Sequence, residues 1–243
     1  MSVVVIPARY ESSRLPGKPL AKIGGVPMVV RTAERCIKSE ADRVIVVTDD
    51  MRVLDACKAV DGLEASMSDP AIPSGTDRVA KVAKFLEDDI VINVQGDEPF
   101  IDPGLINALI AELKADEGLN MVTACTPFEE GEDESNPNAV KVVFDSTGNA
   151  LYFSRLPIPF DREGSGVQRY RHIGIYGFRK DFLLKFASME PSRLENTEKL
   201  EQLRAMESGE KIRVLVTDYK PVSVDTAEDL KKAEEYLKRL GNG

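Results

Sequence analysis

Residues 3–19 constrain the fold of this chain more than any other stretch. The stretch begins with four β-branched residues at positions 3–6, and a short apolar run of this kind is typical of a strand buried on both faces of a parallel sheet. A loop with Arg9, Arg14 and Lys18 follows directly. Open α/β sheets bind their ligands at the carboxyl ends of the strands. The stretch therefore predicts a buried strand whose exit loop binds a polyanion.

This loop lacks the two common phosphate-binding fingerprints. Gly17 and Lys18 are followed by Pro19, so no Ser or Thr stands where a Walker loop binds magnesium, and the Gly-x-Gly-x-x-Gly of a dinucleotide site is missing. Without those glycines, Asp49 and Asp50 are only a weak sign of a ribose site. Three cations on one strand-exit loop still favour phosphate binding over the alternative that they are ordinary solvated side chains.

Composition and charge exclude several classes of protein. Hydrophobic residues make up 42% of the chain and charged residues 30%, values that rule out a disordered or collagen-like protein. The net charge is −9, and because phosphate backbones are bound by basic surfaces, the sequence predicts no nucleic-acid partner. Residues 1–25 nevertheless carry four cations against one acid, a local charge of +3. This contrast indicates a focused anion site.

The cysteines and the apolar runs bear on location. Cys36, Cys57 and Cys125 are far apart and lack Cys-x-x-Cys spacing, so the sequence predicts neither a disulfide framework nor a zinc site. A reduced cytoplasm fits this pattern best. No apolar run approaches the roughly 18 residues of a transmembrane helix, and the first residues lead into a strand without a signal-peptide pattern. We therefore expect a cytoplasmic protein with no membrane partner.

Strand and helix patterns alternate along the first half of the chain. Apolar runs near residues 44–47, 63–67 and 90–94 predict strands, and apolar spacing of three and four residues predicts helices between them. This alternation predicts βαβ units and an α/β fold with a mostly parallel central sheet. The second half is less regular, and its strands are predicted near residues 121–125, 139–144, 151–153 and 172–178.

The remaining segments complete the predicted architecture. Pro157 and Pro159 exclude a central strand and indicate either an edge strand or an excursion, around residues 128–170, that contacts a second subunit. Thr226 and Asp229 have the spacing of a capping box, after which the last helix should bury Leu230, Ala233, Leu237 and Leu240. No linker or repeat divides the sequence, so residues 1–243 are predicted to form one domain.

Carboxylates at predicted strand ends are candidate metal ligands. Asp97 stands beside Gly96 directly after the strand at residues 90–94, and Mg²⁺ prefers oxygen ligands. Asp225, expected at the end of a later strand, is the second candidate, because Thr226 can cap the helix that follows. The alternative is that Asp97 only shapes a turn and that Asp225 is itself the cap.

Three further segments carry weaker signals. Residues 74–78, SGTDR, begin a helix whose exposed N–H groups can bind a base or an anion, although capping alone explains them equally well. His172 is the one histidine of the chain and lies in an alternating apolar stretch, which suits a structural role as well as a ligand role. Glu201 and Gln202 fit the polar face of a short helix, and their spacing indicates nothing more specific.

An ordered set of motifs resembles one known family along essentially the whole chain. The motifs are PAR at residues 7–9, RLPGKP at 14–19, SGTDR at 74–78, NVQGDEP at 93–99, NPNAVK at 136–141, YFSR at 152–155, HIGIY at 172–176, LEQLR at 200–204 and VDT at 224–226. Together they resemble the 3-deoxy-manno-octulosonate cytidylyltransferases. Each motif alone is weak, but the ordered set is specific, and the wider sugar nucleotidyltransferases share only parts of the first and fourth.

The resemblance implies a reaction, a fold and partners. The reaction joins CTP and 3-deoxy-D-manno-octulosonate (Kdo) to give CMP-Kdo and pyrophosphate, with Mg²⁺ as cofactor, and supplies activated Kdo for lipopolysaccharide biosynthesis. The fold is a three-layer α/β fold like that of the nucleotide-diphospho-sugar transferases, with a mostly parallel central sheet. The resemblance also implies a homodimer, with CTP and Kdo as the substrates.

The resemblance also implies a role for each matching residue. Catalysis falls to Arg9, Lys18 and Asp97, and the metal to Asp97 and Asp225. The residues implied to bind the nucleotide are Ala8, Arg9, Arg14, Lys18, Ser74, Gly75, Arg78 and Gln95. The residues implied to bind the sugar acid are Arg162, His172, Tyr176, Glu201 and Gln202.

Alternatives remain open at this point. The chain departs from the family at Asn196 and Thr197, where an apolar residue is usual, and at Ser223 and Ala227, where glycine and proline are usual. These positions leave room for the 8-amino analogue of Kdo as the substrate. A cytidylyltransferase for another acidic sugar, such as sialic acid, would share the first loop. A nucleotide-binding protein without catalysis is the alternative from another class.

Overall fold

A nine-stranded sheet organises the fold, and the computed structural model describes residues 1–241. The strands are β1 (Ser2–Ala8), β2 (Lys22–Ile23), β3 (Val26–Pro27), β4 (Arg43–Thr48), β5 (Glu64–Met67), β6 (Ile90–Asn93), β7 (Met121–Pro127), β8 (Lys141–Phe144), β9 (Ala150–Ser154), β10 (Tyr170–Arg179) and β11 (Ile212–Val216). The helices are α1 (Met28–Ile37), α2 (Met51–Lys58), α3 (Gly75–Ala83), α4 (Pro103–Ala115), α5 (Lys180–Ala187), α6 (Arg193–Glu198), α7 (Gln202–Glu207) and α8 (Ala227–Gly241). β2 and β3 form a separate small hairpin.

The central sheet is mostly parallel, as predicted. Its order is β11-β7-β10-β6-β1-β4-β5. β1 pairs in parallel with β4 and β6, β4 with β5, and β7 with β11. β10 is antiparallel to both of its neighbours, β6 and β7, and β8 and β9 extend the sheet from it as antiparallel strands. The regular first half and the irregular second half of the sequence therefore meet at β10.

β1 shows why the fold has three layers. All seven of its residues are buried, and successive side chains of a strand point to opposite faces. Val4 and Ile6 belong to an apolar cluster with α1, α2 and α4, whereas Val3 and Val5 belong to another with α3, α5 and α7. A strand that is covered on both faces needs apolar residues at every position, which explains the continuous run in the sequence.

Two details of the second half differ from the sequence prediction. Asp225 is not at the end of a strand: β11 ends at Val216, and Asp225 lies in an irregular segment before α8. The backbone N–H of Val224 bonds the carbonyl of Asp97 at 3.0 Å. This bond holds Asp225 near Asp97, which the predicted strand was expected to do. The N–H of Thr217 still bonds the carbonyl of Cys125 on β7 at 2.9 Å, and proline at position 221 has no N–H with which to continue a strand in the segment that follows.

The last helix is packed less completely than predicted. Ala233 is buried and Leu230 and Leu237 are half-buried, but Leu240 is 57% exposed, so its place in the buried stripe was wrong. Residues 238–241, the final turn of the helix, are all exposed to solvent. The predicted capping box is present, with Asp229 N–H bonding Thr226 Oγ1 at 3.2 Å. Within residues 1–241, no helix combines the length and the apolarity needed to cross a membrane.

Candidate active site

A cavity of about 360 Å³, called the first cavity below, opens at the carboxyl ends of β1 and β6. Parallel pairing of the two strands brings their exit loops together at one edge of the sheet, where open α/β sheets bind ligands. All ten residues that the sequence assigned to nucleotide or metal line this cavity. They are Ala8, Arg9, Arg14, Lys18, Ser74, Gly75, Arg78, Gln95, Asp97 and Asp225.

Two glycines allow the loops to approach each other. Gly17 has a φ of 67°, in the left-handed region that side chains rarely adopt, and it turns the first loop just before Lys18. A Cβ on Gly96 would stand 3.0 Å from the carbonyl oxygen of Pro7, too close for most side chains. The loop after β6 therefore lies against the end of β1 only because residue 96 is glycine, and Asp97 is placed in the cavity as a result.

The start of α3 forms one wall of the first cavity. Ser74 is the N-cap, with its hydroxyl 3.1 Å from the N–H of Asp77, and it donates to the Asp77 carboxylate at 2.9 Å. The capping role and the ligand-binding role predicted for this segment are therefore compatible, since the residue that caps the helix also lines the cavity. The helix starts with its N–H groups at the cavity, a position that favours anions.

Arg78 is held in place by a residue whose role the sequence left open. The guanidinium of Arg78 is 2% exposed, bonds the Ser68 hydroxyl, and lies 3.3 Å from Asp49 Oδ2. Asp49 also accepts the N–H of Tyr10 at 2.9 Å and pairs with Arg9 at 3.6 Å. Asp49 thus joins α3 to the first loop. The position of Asp49 at a strand end was a sequence signal for a role at this site. The sequence suggested only ribose binding for it, and so the contact with Arg78 was not predicted.

Charges converge at the mouth of the first cavity. Lys18 Nζ lies 2.5 Å from Asp97 Oδ2 and 2.7 Å from Asp225 Oδ1, and Arg14 lies 3.1 Å from Asp225. Burial acts to lower the pKa of Lys18, but the two carboxylates outweigh it and the pKa is raised. The ammonium is therefore fully charged at neutral pH. It is also partly shielded from water, which strengthens its interaction with any anion that enters.

Asp97 and Asp225 form a donor set that fits magnesium. Their side chains come from segments 128 residues apart, yet both reach the same ammonium, so their oxygens face one common cation position. Among residues 1–241 there is no group of three or more candidate ligands from His, Cys, Asp and Glu. Magnesium does not need one, because it is usually bound by one or two carboxylates together with waters and substrate phosphates.

A second cavity adjoins the first and shares Asp97 and Asp225 with it. Of the residues predicted to bind the sugar acid, His172, Tyr176 and Gln202 line this second cavity. Its other walls come from the loops after β6 and before β8, from β10, from the turn before α7, and from α8 with the irregular segment before it. Those residues are Glu98, Asn136, Asn138, Ala139, Val140, Arg171, Ile173, Gly174, Leu200, Pro221, Ser223 and Asp229.

His172 is neutral, and one of its ring nitrogens bonds a threonine hydroxyl. Burial lowers the pKa of His172 to about 3. Its Nε2 lies 2.8 Å from Thr123 Oγ1, and the same hydroxyl lies 2.7 Å from the carbonyl of Ile175 and 3.3 Å from that of Ile173. When Thr123 donates its proton to Ile175, Nε2 carries the imidazole proton, and Nδ1 is then an acceptor suited to a hydroxyl group.

Two predicted sugar residues line neither cavity. Glu201 instead accepts a hydrogen bond from the hydroxyl of Thr76, on α3, at 2.7 Å, and it stands at the N-cap of α7. Arg162 is exposed in the loop between β9 and β10. Glu201 is near Tyr176, whose pKa its charge helps to raise, but its carboxylate is bonded to Thr76, and Arg162 belongs to the excursion. Their role in substrate binding stays a prediction.

Glu98 is a residue of the second cavity to which the sequence gave no role there. Burial raises the pKa of Glu98 to about 7, opposed by the hydroxyl of Ser223, which bonds the carboxylate, and by that of Tyr219 at 3.5 Å. Glu98 thus ties the loop after β6 to the irregular segment that carries Asp225. The position of Glu98 next to Asp97 in the sequence indicated that it lies near the site. That position could not show which cavity its side chain faces.

Comparison with known proteins identifies the family. A family model described as cytidylyltransferase matches residues 3–212. The 3-deoxy-manno-octulosonate cytidylyltransferase of Syntrophotalea carbinolica is 48% identical, over 97% of this chain and 98% of the relative. The chain belongs to the 3-deoxy-manno-octulosonate cytidylyltransferase family. The enzyme of the same name from Alcanivorax borkumensis is 47% identical, over 96% of this chain and 97% of the relative.

Solved structures agree with this membership. The structure of a CMP:2-keto-3-deoxy-manno-octonic acid synthetase complexed with CTP has a TM-score of 0.93 and 40% identity, and the match covers 98% of each chain. A 4-diphosphocytidyl-2C-methyl-D-erythritol synthase from Anaerococcus prevotii has a TM-score of 0.65 at 16% identity, over 97% of this chain and 96% of the other. The second likeness concerns the fold alone. The predicted nucleotide-diphospho-sugar transferase-like fold is confirmed.

Proposed function

We propose that this cytidylyltransferase joins CTP and Kdo to give CMP-Kdo and pyrophosphate. One observation carries the proposal: a cavity lined by several cations and a second, polar cavity adjoin at Asp97 and Asp225, so two substrates can meet there. Relatives that are 45–48% identical over nearly their whole length carry the name of this activity. The relative whose structure has a TM-score of 0.93 is described as complexed with CTP.

CTP is proposed to occupy the first cavity. Arg9, Arg14 and Lys18 would neutralise the triphosphate, helped by the N–H groups at the start of α3. Gln95 and Ser74 line the same cavity and can pair with the polar edge of the base. The Gln95 amide nitrogen donates to Asn93 at 3.1 Å, which leaves its oxygen available for the exocyclic amine of cytosine.

Kdo is proposed to occupy the second cavity. Nδ1 of His172 can accept from a sugar hydroxyl, and the Gln202 amide can donate to one. Because His172 is neutral, it is suited to hold a hydroxyl group rather than a carboxylate. The carboxylate of the sugar acid would face the cations at the boundary between the two cavities. This arrangement distinguishes Kdo from a neutral sugar.

The proposed reaction is an in-line displacement at the α-phosphorus of CTP. The anomeric hydroxyl of Kdo releases its proton to water and its oxygen forms a bond to this phosphorus, while the bond from phosphorus to the oxygen of the β-phosphate breaks and pyrophosphate leaves. Positioning and neutralisation of spreading phosphate charge carry most of the catalysis in such transfers. Lys18 and Arg9 supply fixed positive charge on the side from which pyrophosphate departs.

Magnesium is proposed as the cofactor, held by Asp97 and Asp225. Its contribution when bound would be to neutralise phosphate charge and to lower the pKa of the anomeric hydroxyl, so that a dedicated basic side chain is not needed. The two carboxylates now share the Lys18 ammonium. With the metal and CTP present, that ammonium can exchange its carboxylate contacts for phosphate oxygens.

A homodimer formed through the excursion at residues 128–170 is also proposed. Leu156 is 72% exposed and Phe160 is 86% exposed, and both lie in this excursion with Leu151, which is 60% exposed. Three large apolar side chains exposed within one segment favour a protein interface there. Sedimentation equilibrium tests this directly: the expected mass is that of two chains, and the mass of one chain at micromolar concentration contradicts the proposal.

The cellular setting follows from the same chemistry. Cys36, Cys57 and Cys125 are buried free thiols, which suits the reducing cytoplasm proposed for this protein. CMP-Kdo is an activated sugar, so a glycosyl transfer must consume it. Because of the family resemblance, we propose that this glycosyl transfer belongs to lipopolysaccharide biosynthesis.

Pyrophosphate release tests the function. The protein is supplied with CTP and Mg²⁺ and, in parallel, with Kdo, 8-amino-Kdo, N-acetylneuraminate or no sugar. Rapid release with Kdo, and mass-spectrometric detection of CMP-Kdo, are expected. Preference for another sugar would support the reaction type but contradict the proposal that the second cavity selects Kdo. Binding of CTP without release from any sugar would instead indicate a nucleotide-binding protein. Loss of release in EDTA, restored by excess Mg²⁺, tests the metal.

A further inference from the structure

Lys141 is a fully buried cation that lines neither cavity. It is the first residue of β8, its side chain is 0% exposed, and its Nζ donates to the carbonyls of Asn136 and Arg155, each at 2.8 Å. Burying an ammonium group is costly unless it is well paired. Here the partners are two backbone carbonyls on separate segments. Lys141 therefore fixes the start of the loop before β8 against the chain that leaves β9.

Arg155 extends the same set of contacts to a third segment. Its guanidinium donates to the carbonyls of Pro137 at 2.8 Å, Glu198 at 2.6 Å and Lys199 at 3.2 Å. The Glu198 carboxylate returns the contact by accepting the backbone N–H of Arg155 at 3.0 Å. Arg155 thus joins the loop before β8 to the turn between α6 and α7.

The turn that Arg155 holds has unusual backbone geometry. Lys199 has a φ of 54°, and among residues 1–241 no other non-glycine residue has a positive φ. A side chain in the left-handed region is disfavoured and persists where its surroundings determine it. Arg155 binds the carbonyls on both sides of this residue's own N–Cα bond, those of Glu198 and Lys199. Leu200 and Gln202, which follow at once, line the second cavity.

The two walls of the second cavity therefore depend on one pair of cations. Asn136, Asn138 and Val140 form one wall, and Leu200 and Gln202 belong to another. We infer that Lys141 and Arg155 are positioning residues that set the distance between these walls, and thereby the affinity for the sugar acid, without touching it. This inference rests on the proposed function, because it assumes that the second cavity receives Kdo.

The test compares Lys141→Met and Arg155→Met with two matched controls elsewhere in the molecule. Lys180 Nζ donates to the carbonyl of Leu86 at 2.9 Å, and Arg179 donates to the carbonyls of Leu113, Asp116 and Leu119. Lys180→Met and Arg179→Met therefore remove similar contacts to backbone carbonyls away from both cavities. The measurements are KM for each substrate, kcat, and Tm.

We expect both test variants to raise KM for Kdo by about tenfold or more, since displaced cavity walls weaken binding of the sugar. KM for CTP should stay within about twofold, because the segments that Lys141 and Arg155 hold do not line the first cavity. The control variants should lower Tm and leave both KM values unchanged. Unchanged KM for Kdo in folded test variants overturns the inference. Parallel changes in both KM values, or a change in the controls of the same size, also overturn it.

A conservative variant keeps the test decisive if Lys141→Met does not fold. Arg155→Lys retains the charge but replaces the three-carbonyl fork with one ammonium, so KM for Kdo should lie between those of the wild type and Arg155→Met. Equal KM values for wild type and both Arg155 variants contradict the inference. Wild-type protein that gives no pyrophosphate with Kdo refutes the proposed function instead, so the two failures are distinguishable.

Discussion

The two cavities are built in different ways. The first is formed by short runs of sequence at the ends of parallel strands, and three of its cations, Arg9, Arg14 and Lys18, come from one loop. The second is assembled mainly from the antiparallel half of the sheet, from β10, the loop before β8 and the turn before α7, and its charged groups are mainly carboxylates. The first cavity depends on local loop geometry and electrostatics, whereas the second depends on how distant segments pack.

This difference has a consequence for function. Phosphates need several positive charges, and charge acts over several ångströms, so modest shifts of the first loop are tolerated. A sugar is recognised by hydrogen bonds that weaken sharply with distance and angle. We therefore expect substitutions in the first cavity to affect chemistry most, and substitutions in or around the second cavity to affect binding of one substrate.

The largest effect is expected at the boundary of the two cavities. Asp97→Asn keeps the shape but removes a negative charge beside Asp225, so turnover should fall by roughly a thousandfold or more. Tm should change little. Asp102→Asn is the matched control, because Asp102 caps α4 and asparagine caps helices equally well. Near-normal kcat in folded Asp97→Asn would remove the metal and catalytic role from this residue.

The next effect is expected within the first cavity. Lys18→Ala removes an ammonium that neutralises both carboxylates, and kcat/KM should fall by about a hundredfold as charge stabilisation is lost. KM for Kdo should be affected less than kcat. Lys22, an exposed lysine on β2, gives the control variant Lys22→Ala, which should behave as the wild type. Kinetics of Lys18→Ala equal to this control would place Lys18 outside the active site.

A smaller and more selective effect is expected in the second cavity. Gln202 is 3% exposed, and within residues 1–241 its Nε2 has no hydrogen-bond partner. Gln202→Leu should raise KM for Kdo by about tenfold, the effect of losing one good hydrogen bond. Because an unpaired polar group is removed, Tm should not fall. An equal rise in KM for CTP would show that the two cavities are not independent.

The smallest effect is on stability at acid pH. The unfolded chain binds a proton at His172 below about pH 6.5, but the folded chain binds it only near pH 3, so the unfolded state binds more protons in this window. The free energy of unfolding should therefore decrease as pH falls from about 6.5 toward 3. His172→Gln should lower this slope by at most roughly 1.4 kcal/mol per pH unit. Parallel curves for the two proteins, from denaturant titrations at several pH values, would contradict a buried neutral histidine.

The same contrast explains what the sequence could predict. The predictions agree with the structure where a pattern depends on one strand and its exit loop. Examples are the buried run from Val3 to Ile6, the cations that follow it, and Asp97. β11, α5 and α6 were not predicted, although Phe182, Leu183 and Phe186 have helical spacing on α5. Asp225 was predicted in the correct cavity but on the wrong kind of element, because a backbone bond to Asp97 replaces the strand.

Long-range packing set the limit at the second cavity. The motif that resembles the family placed Glu201 and Gln202 together, but neighbouring side chains at the start of a short helix point in different directions, and Glu201 meets Thr76 instead. The contacts of Lys141 and Arg155 join segments 14 to 44 residues apart. Sequence spacing cannot reveal such contacts, since they arise only when β8, β9 and the turn after α6 are assembled.

The most direct test of the two-cavity account is a crystal structure with CTP, Mg²⁺ and an analogue of Kdo that lacks the anomeric hydroxyl and cannot react. We expect the triphosphate to bind between Arg9, Arg14 and Lys18, and the sugar to bind between His172 and Gln202. The carbon that normally bears the hydroxyl should face the α-phosphorus beside Asp97 and Asp225. A sugar bound outside the second cavity, or a metal that contacts neither carboxylate, would contradict it.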